Sequence, residues 1–219
     1  MLIDLKLNGQ TVMVIGGGKE ATRKITSFLD SGATIWMISR DFSPQALSLG
    51  QTKQINLLKT EIKDAKTFID SLNPKPDVLL AATDNSQLNH NLIEAALTYG
   101  CMVYTVDNSA LSDFILPAIA KIGNNIKIAI STGGKSPAMA HVLRERIEKL
   151  ITPQDLLAIE LQEKIRLTLK NRITDPKHRS KLLYEILDNV NIKRALLEDN
   201  LDLAQELALN LLEKGETTK

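Results

Sequence analysis

A single cysteine, Cys101, among 219 residues excludes an intrachain disulfide framework. The chain also has no apolar run long enough to span a bilayer and no signal peptide, so a cytoplasmic location without a membrane partner is expected. Neither sign of charge dominates: 27 Lys and Arg against 26 Asp and Glu leave a formal net charge of +1, which argues against a nucleic-acid partner. The three histidines, His90, His141 and His178, lie far apart and lack metal-ligand spacing, so no permanent zinc or iron site is expected. Tyr99, Tyr104 and Tyr184 are followed four residues later by Val103, Asn108 and Asp188, where short-chain dehydrogenase chemistry needs a lysine. What remains, with 43% apolar residues, can fill one large domain or two small ones.

The most informative stretch that is present is TVMVIGGGKEATRKI, residues 11–25. Val12, Val14 and Ile15 read as a buried strand, and Gly16 permits a tight turn out of it. Gly18 lets backbone come close to a pyrophosphate, and Ala21 is small where helix packs on strand. The start of that helix would direct N–H groups at the anion, which makes Gly16, Gly17, Gly18, Lys19 and Glu20 the candidate cofactor contacts. A second strand, Thr34 to Ile38, follows the Ser31-Gly32 stop at the distance a βαβ unit requires. At its end an Asp or Glu would bond the adenosine ribose diol, but this chain has Ser39-Arg40. That pair could hold the 2′-phosphate of NADP; equally, Ser39 could bond a free ribose hydroxyl while Arg40 points into solvent.

VLLAAT at 78–83 reads as another buried strand, followed by a helix from Asn89 to Tyr99, stopped at Gly100, and a strand from Met102 to Val106. Apolar strands alternating with helices indicate a parallel sheet covered on both faces, where ligands collect at the carboxyl ends of the strands. Those ends carry Gly16 to Gly18, Thr83-Asp84 and Asp107. Thr83 and Asp84 could contact the nicotinamide ribose, although Asp84-Asn85-Ser86 is also ordinary turn or cap composition.

Beyond Pro117 the texture changes. Residues 126–131 read as one more strand, and a helix follows to about Ile151 with Ser136 as N-cap and Pro137 in its first turn. Thr132, Gly133, Gly134 and Lys135 could bind a substrate carboxylate through exposed backbone N–H groups and the lysine charge, or form a plain loop and cap. Thr152, Pro153 and Asp155 repeat the start signal, and the chain to about residue 213 reads as helical with a break near Asp175-Pro176. Residues 164–181 hold seven basic residues against Asp175, either a face that attracts an acidic substrate or a solvated helix face.

Together these motifs resemble the precorrin-2 dehydrogenases, which also form the amino-terminal dehydrogenase/ferrochelatase module of siroheme synthases. The resemblance rests on the glycine turn followed by Arg23-Lys24, on AATDNSQLN at 81–89, on VDNSALSDFILPA at 106–118 and on ISTGGKSPAMAHVLRERIE at 130–148. It implies an α/β fold with a Rossmann-type parallel sheet over residues 1–113, a small α+β dimerisation region over 114–151 and a helical C-terminal domain over 152–219. It further implies a homodimer that oxidises precorrin-2 to sirohydrochlorin with NAD, in siroheme or related tetrapyrrole synthesis. Because some members also insert ferrous iron, a bifunctional dehydrogenase and ferrochelatase is an alternative, and a non-catalytic NAD-sensing module is another. With no methyltransferase segment after residue 219, a separate enzyme is expected to supply precorrin-2.

The resemblance makes Asp107 the catalytic residue, since oxidising a reduced tetrapyrrole removes a hydride to the nicotinamide and leaves ring protons that a carboxylate can accept. The competing reading of Asp107 is a cap on the turn Asn108-Ser109. Thr132 occupies a place that a serine fills in some relatives, and Asp113 stands where members vary.

Overall fold

The structure, a computed structural model, describes residues 2–216; residue 1 and residues 217–219, the outer limits of the expected first and last segments, lie outside the described residues. It divides into two compact units, Met1–Leu116 and Pro117–Lys219.

The first unit alternates strand and helix: β1 (Thr11–Ile15), α1 (Lys19–Ile25), β2 (Thr34–Ser39), α2 (Pro44–Gln51), β3 (Asn56–Lys59), α3 (Ala65–Ser71), β4 (Val78–Ala81), α4 (Ser86–Leu97) and β5 (Met102–Thr105). All five strands are parallel, in the order β3-β2-β1-β4-β5. Successive side chains of a strand point to opposite faces, and here each face meets its own helices. Val12, Val14, Met37, Val78 and Leu80 pack with Ala21 and Ile25 of α1 and Ala46 of α2. Met13, Ile15, Ile38, Leu79 and Ala81 pack with Ile69 of α3 and Leu92, Ile93 and Ala96 of α4. Burial on both faces is why β1 and β4 read as unbroken apolar runs, each large side chain contributing about 1.5–3 kcal/mol.

After β3 the chain crosses to the other side of β1, so the connections of β1 and β4 diverge and leave a crevice at their carboxyl ends. The β5 edge is covered by the chain's own return. Val103 N–H donates to Asp113 Oδ2 at 2.8 Å, Asp113 N–H to Val103 O at 2.9 Å and Thr105 N–H to Ser112 Oγ at 3.0 Å.

The second unit opens with an antiparallel hairpin, β6 (Ala118–Ile122) and β7 (Ile126–Ile130), followed by α5 (Pro137–Leu150). Four helices follow: α6 (Pro153–Arg172), α7 (Pro176–Asp188), α8 (Val190–Leu197) and α9 (Leu201–Glu216). Leu161, Ile165 and Leu169 form the buried stripe of α6, which packs with Ile186, Ile192, Ala204 and Leu212.

Several boundaries differ from the sequence expectation for local reasons. Helix α4 begins at Ser86, not Asn89, because the Asn85 side chain accepts from Leu88 N–H at 3.0 Å. Strand β4 ends at Ala81, and the N–H of Thr83 turns instead to the Asn89 side chain. Strand β5 ends at Thr105 and β7 at Ile130. Helix α1 gives way at Ile25 to a 3-10 turn over Thr26–Phe28. The helical region has two further breaks, at Asn189, which caps α8, and at residues 198–200.

Candidate active site

A cleft of about 1000 Å³ lies across the carboxyl ends of the strands in the first unit. Its walls come from residues 15–21 at the end of β1 and the start of α1, Ser39 to Asp41 at the end of β2, Thr60 to Ile62 after β3, Thr83 to Ser86 after β4, and Val106 after β5. The structure thus brings all the sequence-derived cofactor contacts, Gly16 to Glu20, Ser39, Arg40, Thr83 and Asp84, to one cleft.

The glycines do different work. Gly16 has φ +125°, its N–H donates to Ile38 O at 2.8 Å, and a Cβ there would collide with the Ala82 carbonyl. At Gly17 a Cβ would strike the Asp41 carbonyl, while the Gly17 carbonyl accepts from Ser43 N–H at 2.8 Å. Gly18 has nothing within 4 Å of its Cβ position, so backbone is open to the cleft there. Two residues that the sequence did not single out brace this turn. The Thr22 hydroxyl donates to Gly18 O at 2.8 Å and lies 2.9 Å from Ser43 Oγ, which caps α2.

Lys19 and Glu20 stand at the helix entrance. The Glu20 carboxylate is already engaged, with Arg23 at 2.6 Å and Lys24 at 3.7 Å; the Arg23 hydrogen bond, above all, holds its carboxyl below the usual range. Lys24 also lies 4.9 Å from the centre of the Tyr104 ring. Across the cleft, Arg40 Nη1 is 3.7 Å from Glu61 Oε1, and Lys59 is 3.1 Å from Asp41. All four side chains are exposed, so these ion pairs shape local charge more than stability.

Asp107 is exposed, yet its carboxylate is held at both oxygens: Thr105 Oγ1 donates to Oδ1 at 2.5 Å and Asn89 Nδ2 to Oδ2 at 3.0 Å. Burial raises its pKa, but the hydrogen bonds from Thr105, Asn89 and Ser86 outweigh that, and the carboxyl ionises below the ordinary aspartate value. The turn after it is capped by Asn108, whose side chain accepts from Ala110 N–H at 3.1 Å. Thr105 and Asn89 are buried, at 3% and 1% exposure. Sequence reasoning missed both, because a threonine within a strand and an asparagine near a helix start each have commonplace structural uses.

Thr132, Gly133, Gly134 and Lys135 belong to the second unit and are not part of the cleft wall. They form the turn from β7 to α5: Ser136 N–H donates to Thr132 Oγ1 at 3.1 Å, Lys135 N–H to Thr132 O at 3.2 Å, and Ser136 caps the helix. Gly133 and Gly134 have φ of +61° and +78°, with nothing within 4 Å of either Cβ position. In the basic stretch, Arg179 Nη1 donates to the carbonyls of Ile173 and Thr174 at 2.7 and 2.8 Å, closing the end of α6. Lys164 pairs with Glu160 at 3.0 Å and Lys181 with Glu185 at 3.7 Å. Among the described residues no three His, Cys, Asp or Glu side chains are grouped to hold a metal ion, and no helix is long and apolar enough to cross a membrane.

The family model described as putative NAD(P)-binding matches residues 3–118, more than half of the chain. The chain belongs to that NAD(P)-binding family. A second model, sirohaem biosynthesis protein central, matches residues 124–150. Among curated relatives, the chain is 30% identical to the siroheme synthase of Psychromonas ingrahamii over 98% of its own length and 40% of that protein's. It is 29% identical to the precorrin-2 dehydrogenase of Methanosarcina barkeri, over 86% of this chain and 83% of the other. The chain therefore spans about two fifths of the siroheme synthase and most of the dehydrogenase. A solved structure named SirC, precorrin-2 dehydrogenase, shares the fold, with a TM-score of 0.72 and 22% identity over 91% of this chain and 98% of that one.

Proposed function

We propose that this chain is a precorrin-2 dehydrogenase that removes a hydride and a proton from precorrin-2 to give sirohydrochlorin, with NAD as acceptor. The observation that carries the reading is the hydrogen-bonded Asp107 carboxylate beside a glycine-walled cleft in a chain of the NAD(P)-binding family. The named relatives and the central sirohaem-biosynthesis match supply the substrate class.

The cleft fits a dinucleotide: Gly16 and Gly17 are pressed against carbonyls while Gly18 leaves backbone open where a pyrophosphate would lie. Bound there, the nicotinamide supplies the hydride acceptor. Ser39 takes the adenosine ribose, and Glu61 beside Arg40 disfavours a 2′-phosphate by like charge, which supports NAD over NADP. The backbone at Thr83 and Asp84 flanks the nicotinamide side. Asp107, ionised at neutral pH, accepts the proton that leaves the tetrapyrrole. At Thr132 to Lys135, the lysine cation beside Gly133 and Gly134, whose Cβ positions are unobstructed, suits a substrate carboxylate.

The same reading makes the protein a homodimer through β6, β7 and α5, where Met139, Val142 and Leu150 are exposed, 72% in the case of Leu150. A soluble coenzyme and a free, buried Cys101 thiol suit the cytoplasm. The test is anaerobic incubation with enzymatically generated precorrin-2 and NAD or NADP, without iron, followed by visible spectroscopy. Sirohydrochlorin forming faster with NAD supports the reading. An unchanged spectrum with both coenzymes overturns it and leaves a nucleotide-sensing module.

A further inference from the structure

Asn89 is a fully committed side chain. An amide has two acceptor sites on oxygen and two N–H donors, and here all four are used. Oδ1 accepts from Thr83 N–H at 3.0 Å and from Thr83 Oγ1 at 2.7 Å. Nδ2 donates to Thr83 O at 3.2 Å and to Asp107 Oδ2 at 3.0 Å. The main-chain N–H and carbonyl of Thr83 fix which end of the amide is which, so a donor necessarily faces the carboxylate. At 1% exposure the Asn89 amide itself is shielded from water.

The geometry points to Asn89 as a positioning residue that, with the Thr105 hydroxyl, locks the Asp107 carboxylate in the orientation that accepts the substrate proton. The inference rests on the dehydrogenase reading above. Thr83 lies two residues past the end of β4 at the cofactor cleft, Thr105 ends β5, and Asn89 lies in the first turn of α4. One amide therefore joins the wall beside the nucleotide to the proton acceptor. The Thr105 and Asn89 bonds take one acceptor site on each carboxylate oxygen and leave the remaining lone pairs for the arriving proton. In the reaction a hydride passes to oxidised nicotinamide dinucleotide while the proton forms an O–H bond on Asp107. A carboxylate free to rotate would lose that alignment.

The experiment uses Asn89→Asp and Thr105→Val in the full chain. Asn89→Asp keeps an acceptor for both Thr83 donors but sets a carboxylate where Asp107 now finds an N–H. Thr105→Val removes the hydroxyl and keeps the shape. Steady-state kinetics with precorrin-2 and calorimetric titration with NAD separate alignment from binding. The expected result is a fall in kcat of at least about tenfold in each variant, with the NAD Kd within about twofold of wild type. Thr105→Ser, which retains the hydroxyl, recovers most of what Thr105→Val loses. Wild-type kcat in either variant, or a kcat loss matched by an equal loss of NAD affinity, overturns the inference. An inactive wild-type protein removes the dehydrogenase reading and this inference with it, whereas an active wild type with fully active variants removes the inference alone.

Discussion

At the scale of the residue, the proposed chemistry rests on Asp107 and the neutral groups that hold it. Replacing it by Asn keeps the size but removes the proposed proton acceptor, so Asp107→Asn should lower turnover by about 10² to 10⁴-fold. NAD affinity should stay unchanged, because Asp107 is not in the cleft wall; calorimetry of the variant checks this, and full turnover would remove Asp107 from the mechanism. Its hydrogen bonds also set a pH dependence. Since the folded protein holds the carboxyl below its unfolded value, the stabilisation it provides is present at neutral pH and is lost as pH falls through the lowered folded pKa. Turnover from about pH 5 to 8 should therefore show no rising limb from Asp107, whose unperturbed pKa is about 3.9, and a limb that vanished in Asp107→Asn would contradict the shift.

The glycine turn was legible residue by residue, because few side chains tolerate those places. The position of Asp107 just past the end of β5 was legible from the apolar run before it. Asn89 was not, since its value lies in meeting a strand end eighteen positions away, and spacing alone cannot show that a helix will bring the two together.

At the scale of the element, β1, β2, β4 and β5 and the helix starts at Ser136 and Thr152 could be read from apolar runs and start signals. Strand β3 could not: it is an exposed edge with the sequence NLLK, and its buried neighbours lie in β2. Strand β6 escaped for a related reason, as AIAKI buries fully only Ala120. Asp113 shows what an element owes to tertiary context. Its carboxylate replaces the strand that β5 lacks on its outer side, and Asp113→Ala leaves the Val103 N–H without that acceptor in a buried setting. The expected cost is about 1–3 kcal/mol, measured as a lower urea midpoint with an unchanged slope. An unchanged midpoint would show that the edge is satisfied in another way.

At the scale of the whole molecule, each unit has its own core, and the described residues that wall the cleft belong to the first. Ile165 is 1% exposed in the helical core, so Ile165→Ala should destabilise the second unit by about 2–5 kcal/mol in denaturant unfolding. Its NAD affinity should match wild type, and weakened nucleotide binding in that variant would mean that the first unit does not hold the site alone.

The central claim is that the cleft and Asp107 together carry out an oxidation in which the nucleotide takes the hydride. Its most direct test follows reduced nicotinamide and sirohydrochlorin simultaneously in one anaerobic reaction of the purified protein with precorrin-2 and NAD. The account predicts that the two products appear together in equal amounts, and sirohydrochlorin formed without matching reduction of NAD would contradict it.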